Sequence, residues 1–441
     1  MRWRDFNPRR WWQWLLVVVV GLLALKEFYL RLKGTTGDFA TFWWAGKLCL
    51  LGRNIYASVP GILPNVYAPL GALLMVPLAL LPEKIAFIIW QIGQLWAIGA
   101  SLLLLERFLE ARDGKTHERF WLTLFLVFPA LLSNWTYGQF NHLVLICIVV
   151  MLWFLKQGQE GIAGAALGLI LSVKPFHLLP LLAWLLLKRC WKGVFGAVVV
   201  SFFGITVIPA LFWGWQGVIE LLGDWWRQFT PHIFCVSWVS GSLVSTLYRL
   251  LTPCNVADEI NEKLFVNLIS LPEWVVTGLV VILSVIAVLL TVWLCRQPLY
   301  ETSPLQLLWE TSWVLTVTLT LSTRTEKHHW VILLPAFFLL AHGILGLNIP
   351  KLSRKVGLAW FFYTIANSDL VPKALRIFFR TAYWVHAAAL LLVCFSLLSL
   401  LQGMGSHKDA SAKFALTQCT VAHFAKMIRE LYERLLQTRG R

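Results

Sequence analysis

A carboxylate, an ammonium group and a pair of imidazoles stand in this chain where apolar runs give way to polar turns. Each is of a type that handles protons or phosphates. Asp38 follows Thr35-Thr-Gly and precedes an aromatic run with Trp43 and Trp44. A carboxylate partly desolvated by aromatic neighbours holds its proton more tightly and suits a general base. The same residue could instead cap a helix running from Phe39 to Leu51. Lys174 lies between two apolar runs in LSVKPFHLL, and a lysine at membrane depth costs about 3 kcal/mol unless it snorkels or finds a partner. Pro175 breaks the helix beside it, so the ammonium group and freed carbonyls can face a cavity, where a phosphate is the natural partner. Snorkelling to the interface is the other reading. His328 and His329 open the run HHWVILLP. Adjacent histidines on a helix point apart, which disfavours a shared metal ion. One of them donating to a phosphate or a sugar hydroxyl fits better, and a satisfied interfacial polar group is the plain alternative. The turn Tyr137-Gly-Gln-Phe-Asn141 supplies Gln139 and Asn141, amides that suit sugar hydroxyls but also close turns.

The elements that must position these residues are membrane helices. Of 441 residues, 58% are hydrophobic and 14% charged, far from the balance of soluble domains. Nearly uncharged windows recur along the chain, and a helix needs about 20 apolar residues to cross the hydrocarbon core. The sequence predicts an all-α polytopic protein with twelve spans, near 11–30, 84–105, 120–135, 142–155, 161–175, 176–187, 193–213, 273–295, 306–321, 330–347, 356–369 and 382–401. The first follows Arg2, Arg4, Arg9 and Arg10 like a signal peptide, but no small-residue cleavage site succeeds it, so it reads as a retained anchor.

Basic loops orient the spans. Arg2 to Arg10, Lys188/Arg189/Lys192 and Lys351/Arg354/Lys355 belong in the cytoplasm by the positive-inside rule. Both termini then lie inside. The run Tyr67 to Pro82 is excluded from the count, because a full crossing would move Arg107, Arg112, Lys115 and Arg119 outside. It carries Pro69, Pro77 and Pro82, each lacking a backbone donor, and is expected to dip in from the outer face and return. The outer face then carries residues 31–83, the turn at 134–141, Lys174, the loop 214–272 and Thr323 to His329. Residues 1–401 form the polytopic domain. The tail 402–441 places Val421, Phe424, Ile428, Leu431 and Leu435 at helical spacing beside Lys426, Arg429 and Arg434, which predicts a basic amphipathic helix on the anionic cytoplasmic leaflet.

The net charge of +16 is scattered through loops and not gathered on one module, which argues for anionic lipid and against nucleic acid as the partner. Eight cysteines form no CxxC pair and no metal-ligand spacing. Cys235 and Cys254 both fall in loop 214–272; a disulfide between them and two unpaired, packed thiols are both open. The 25 tryptophans suit sugar stacking and membrane belts alike.

Several blocks together resemble glycosyltransferase family 87, the polyprenol-phosphate-sugar-dependent mannosyl- and arabinofuranosyl-transferases of bacterial envelopes. They are GDFATFWWAG with GRNIY, then YAPLGALLMVPLALLP with Trp90, YGQFNH, the block from Gly161 to Lys192, and HHWVILLP, in that order. The resemblance implies a GT-C type membrane fold that inverts configuration while moving a hexose or pentose, mannose first among them. The donor would be a polyprenyl-phosphate sugar and the acceptor an envelope glycolipid or glycan at the outer face. By matching position Asp38 would be the base, with Lys174 and His328 at the carrier phosphate and Arg249, in SGSLVSTLYRLL, assisting. Tyr67, Gln139, Asn141 and His329 would line the substrate side. A phosphate monoester leaves already charged, so these cations could stabilise it with no metal and no cofactor. Where relatives tend to carry Ser-Pro and a Trp before the histidines, this chain has Ser322-Thr-Arg-Thr-Glu-Lys327, which adds charge. A transporter or flippase of lipid-linked sugars is the rival reading; it would place paired broken helices at midplane. A scaffold for envelope assembly is a third, and would leave Asp38 and Lys174 without a task.

Overall fold

The computed structural model describes residues 11–111, 113–234, 240–253, 267–366 and 384–406. Cys235, Cys254 and the amphipathic stretch of the tail lie outside them, as do the end of the expected span 356–369 and the start of 382–401. Among the described residues every regular element is a helix, joined by turns and loops, with no strand. Among the described residues six helical stretches are long and apolar enough to cross a membrane: Glu83–Leu109, Thr116–Tyr137, Trp191–Thr230, Glu273–Leu294, Lys327–Leu345 and Trp384–Met404. This is a multi-pass membrane protein.

In chain order the helices are α1 (Trp11–Lys33), α2 (Asp38–Leu50), α3 (Pro69–Ala79), α4 (Glu83–Leu109), α5 (Thr116–Tyr137), α6 (Asn141–Lys156), α7 (Glu160–Leu171) and α8 (Leu179–Leu187). Then follow α9 (Trp191–Phe202), a π turn (Phe203–Val207), α10 (Ile208–Phe234), α11 (Leu243–Leu251), α12 (Glu273–Leu294) and α13 (Pro304–Leu321). A 3-10 turn (Lys327–Leu333) leads into α14 (Leu334–Leu345), and α15 (Leu352–Ala366) and α16 (Trp384–Ser406) close the described chain.

Several expected spans are shorter than a bilayer, because proline and glycine interrupt them. The runs 161–175 and 176–187 become α7 and α8, of 12 and 9 residues, with Lys174 in the connector before Pro180 starts the second helix. The expected span 193–213 differs in the other direction. It continues through a break at Gly214, where φ is 68°, as α10 to Phe234, so the expected loop 214–272 begins with a helix. The reason is amphipathic: Val218 and Leu221 are buried, whereas Gln216, Glu220 and Arg227 are exposed.

α3 has only 11 residues, about 16 Å at 1.5 Å per residue, half of what a crossing requires. At the start of α4, Lys84 Nζ donates to the Arg31 carbonyl at 3.0 Å and Glu83 accepts from Thr36 at 2.5 Å. The chain therefore returns, after α2 and α3, to the level at which α1 ends. Gly46 lets these two helices pack closely, since a Cβ there would meet the Met75 backbone at 2.9 Å.

α13 and α14 are buried nearly throughout and form the axis of the bundle. α12 shows the opposite pattern: among its apolar residues only Val276 and Leu294 are buried. An apolar helix exposed along its length fits lipid contact and nothing aqueous.

Candidate active site

Two glycine turns bring Asp38 to its partner. Gly37 caps α2 at φ 69°, and Gly138 ends α5 at φ 65°. Both lie in the left-handed region that favours glycine. The turns also touch: a Cβ on Gly138 would fall 2.7 Å from Phe39 Cβ, and one on Gly37 would fall 3.3 Å from the Tyr137 backbone. Asp38 is thus the first helical residue and not the cap, and makes no capping bond. Its carboxylate accepts instead from the Gln139 amide, whose oxygen accepts from the Tyr67 phenol at 2.7 Å.

The same turn holds the cation. Asn141 opens α6, and its Oδ1 accepts from Lys174 Nζ at 2.8 Å. Its Nδ2 donates to Asn134 Oδ1 and to the His328 carbonyl, both at 3.0 Å. Asn134 donates onward to Gln94 Oε1 at 2.8 Å. The Lys174 ammonium also stands 5.7 Å from the Tyr67 ring centroid, a cation–π contact. Gln139, Asn141 and Tyr67 are buried, while Asp38 and Lys174 are only partly so. A buried amide frame therefore presents a carboxylate and an ammonium group whose tips keep some access.

The third wall is the segment Ser322 to His329. Arg324 pairs with Glu326 at 2.8 Å, and Glu326 Oε2 lies 3.8 Å from His328 Nδ1. His329 accepts the Glu326 backbone N–H at 3.1 Å, and its ring lies tilted against that of His177, with centroids 4.5 Å apart. The rings of His328 and His329 stand edge-on at 4.4 Å. Burial pushes the Asp38 carboxyl up to about 6; the nearby Glu326 adds to this, and the Gln139 bond, Arg31 and Arg324 oppose it. For Glu326, burial acts upward but His328, Arg324 and Lys174 hold it below the usual range. At neutral pH Asp38 is ionised yet weakly so, as a general base should be.

Asp38, Tyr67, Gln139, Asn141, Lys174, His328 and His329 are thus brought together. Arg249 stands further along the wall. It is buried on α11, donating to Thr246 Oγ1 at 3.2 Å, one turn beyond Ser245, which donates to the Thr323 carbonyl at 2.6 Å. Sequence reasoning missed Glu326 and Arg324 as site electrostatics and His177, Asn134 and Gln94 as supports. The charged insertion before His328 was visible, but not which way it folds. Among the described residues no three His, Cys, Asp or Glu side chains gather as metal ligands do.

Residues 65–323 match glycosyltransferase family 87. Tyr67, Gln139, Asn141, Lys174 and Arg249 lie inside that stretch; Asp38, His328 and His329 lie outside it. The chain is similar to a polyprenol-phosphate-mannose-dependent alpha-(1-2)-phosphatidylinositol pentamannoside mannosyltransferase of Mycolicibacterium smegmatis, with 29% identity over 167 residues, 37% of this chain and 39% of that relative. A polyprenol-phosphate-mannose-dependent alpha-(1-2)-phosphatidylinositol mannoside mannosyltransferase of Mycobacterium tuberculosis is 24% identical over 364 residues, 76% of this chain and 77% of the relative. No solved structure matches the chain at a significant level.

Proposed function

This chain belongs to glycosyltransferase family 87, and we propose that it transfers mannose from a polyprenyl-phosphate carrier to a glycolipid acceptor, with inversion at the anomeric carbon. One observation carries the reading: a single turn, through Gln139 and Asn141, holds a carboxylate on one side and an ammonium group on the other. Attack from one face and departure from the opposite face require that separation. Asp38 takes the proton from the acceptor hydroxyl, whose oxygen bonds to the anomeric carbon. The bond from that carbon to the phosphate oxygen breaks, and its electron pair leaves with the lipid phosphate. Lys174 and His328 meet the developing charge on the phosphate, and Arg249 supports them from the adjoining wall. Gln139 and the Tyr67 phenol hold the base in orientation. His329 braces the segment that carries His328.

We place this site on the outer face, with the amino terminus, residues 402–441 and the basic loops in the cytoplasm of a bacterial plasma membrane. Purified protein in liposomes, given radiolabelled polyprenyl-phosphate mannose and a phosphatidylinositol mannoside, should yield a labelled glycolipid of inverted linkage. Donor that crosses the bilayer unchanged, with no glycolipid formed, would favour a flippase. For the side, a cysteine at position 84 in a cysteine-free background should react with an impermeant maleimide in intact cells, and one at position 115 should not.

A further inference from the structure

The carboxyl half of α10 lies over the loop between α2 and α3. Trp225 Nε1 donates to the Val66 carbonyl at 3.1 Å, Gln228 Nε2 donates to the Tyr56 carbonyl at 3.1 Å, and Phe229 stacks on Phe176, two residues from Lys174. Between helix and loop is a cavity of about 490 Å³, walled by Asn54, Tyr56, Asp224, Arg227 and Gln228. Tyr56 and Gln228 also bound a neighbouring recess of about 50 Å³, lined by Thr41, Trp44, Leu48 and Asn65. Thr41, which bounds the recess, follows Asp38 by three residues on α2, about 5 Å along the helix axis, so the recess opens one turn from the carboxylate.

The lining chemistry is specific. Asp224 accepts from both Asn54 and Arg227, so its charge is compensated and the wall offers no net positive charge to an anion. What remains are the amides of Asn54, Gln228 and Asn65, which both donate and accept, together with the Trp44 indole, the complement of a neutral polyol with one apolar face. Asn65 is 6% exposed, and its Nδ2 is buried with no hydrogen-bond partner among the described residues. A buried donor left unmade is costly unless a ligand satisfies it.

We infer that this cleft is a distal acceptor subsite, which holds the non-reacting sugar residues of a saccharide headgroup while its terminal hydroxyl reaches Asp38. The inference rests on the transferase reading above. Binding energy collected there is available to orient the reacting hydroxyl.

The full-length protein in liposomes tests it with two acceptors, a phosphatidylinositol mannoside and methyl α-mannoside, which is too short to reach the cleft. Asp224→Ala should raise the KM for the glycolipid about tenfold, and Arg227→Ala severalfold. The donor KM and transfer to methyl α-mannoside should stay within twofold in both variants. An unchanged glycolipid KM overturns the proposal, as does an equal loss with both acceptors, which would make the cleft a structural wall. Binding of α-1,2-mannobiose, read by tryptophan fluorescence, separates the two readings. Quenching lost in Asp224→Ala and kept in Asp38→Asn supports the subsite even if the wild type transfers nothing. No quenching in the wild type, with no KM shift, leaves no subsite. If mannobiose fails to quench while the glycolipid KM shifts, the cleft takes the headgroup only in its lipid-linked form.

Discussion

The two ends of α5 handle buried charge in opposite ways. Near its amino end Arg119 is fully buried and forks onto Glu106 and Asp113, each at 2.8 Å. At the same end of the bundle Lys188 and Glu310, both with no exposed side chain, pair at 2.8 Å, with Trp184 and Gln306 donating to the carboxylate as well. At the carboxyl end, about 33 Å away along a 22-residue helix, Asp38 and Lys174 are met by the amides of Gln139 and Asn141, not by opposite charges. Paired charges are spent on holding helices together. Charges held by neutral amides are not neutralised by those contacts, which is what the proposed site requires of Asp38 and Lys174.

Asp38→Asn is the sharpest way to break that comparison. It keeps shape and the contact with the Gln139 turn but removes basicity, so kcat should fall by about 10² to 10⁴ with insertion intact and no loss of thermal stability. Activity within about threefold of wild type would end the assignment.

At the other end the signs reverse. Glu310→Ala leaves a lysine buried and unpaired and should cost about 3 to 5 kcal/mol, whereas Lys188→Met with Glu310→Leu should cost much less. Detergent melting curves measure both, and kcat per folded molecule should hardly move. A specific loss of kcat in the double variant would place this pair in the mechanism.

The pH dependence of stability gives a third handle. Asp38 titrates near 6 in the folded protein against an ordinary 3.8, so across that window the folded state binds more protons than the unfolded one. Its contribution is fully present below about 3.8 and is lost as pH rises through about 6, on the order of 3 kcal/mol at most. Asp38→Asn should therefore melt higher than wild type at pH 8 and at the same temperature near pH 4. Activity runs the other way and should decline as pH falls through about 6. A wild-type rate flat between pH 5 and 7 would remove Asp38 from the role of base.

Lys174→Ala is the mildest test, expected to raise the donor KM about tenfold, near 1.4 kcal/mol, with the acceptor KM unchanged. An altered acceptor preference at constant donor affinity would move this residue to the other side of the reaction.

Much of this was legible in the linear chain. The apolar runs announced membrane helices because a backbone in lipid must satisfy its hydrogen bonds locally, which leaves a contiguous signature. Gly37-Asp38, Gly138-Gln139 and Lys174-Pro175 stood out for the same local reason: each interrupts an apolar run where lipid would penalise the interruption. Length was less legible. The break at Gly214 and the amphipathic helix beyond it hid inside an expected loop, because an interfacial helix carries too many polar residues to read as a span. What only the tertiary structure decided is which interruptions meet. Asp38 and Gln139 are 101 residues apart, and Asn141 and the His328 carbonyl 187. Such pairings depend on helix packing, on glycine turns seated against each other and on the return of α3 to its starting level, none of which leaves a periodic mark in sequence. Whether a charged residue becomes a staple or a site is likewise set by its neighbour across the bundle. Arg119 and Lys174 are both cations at the edge of an apolar run, and only the fold gave one a carboxylate and the other an amide.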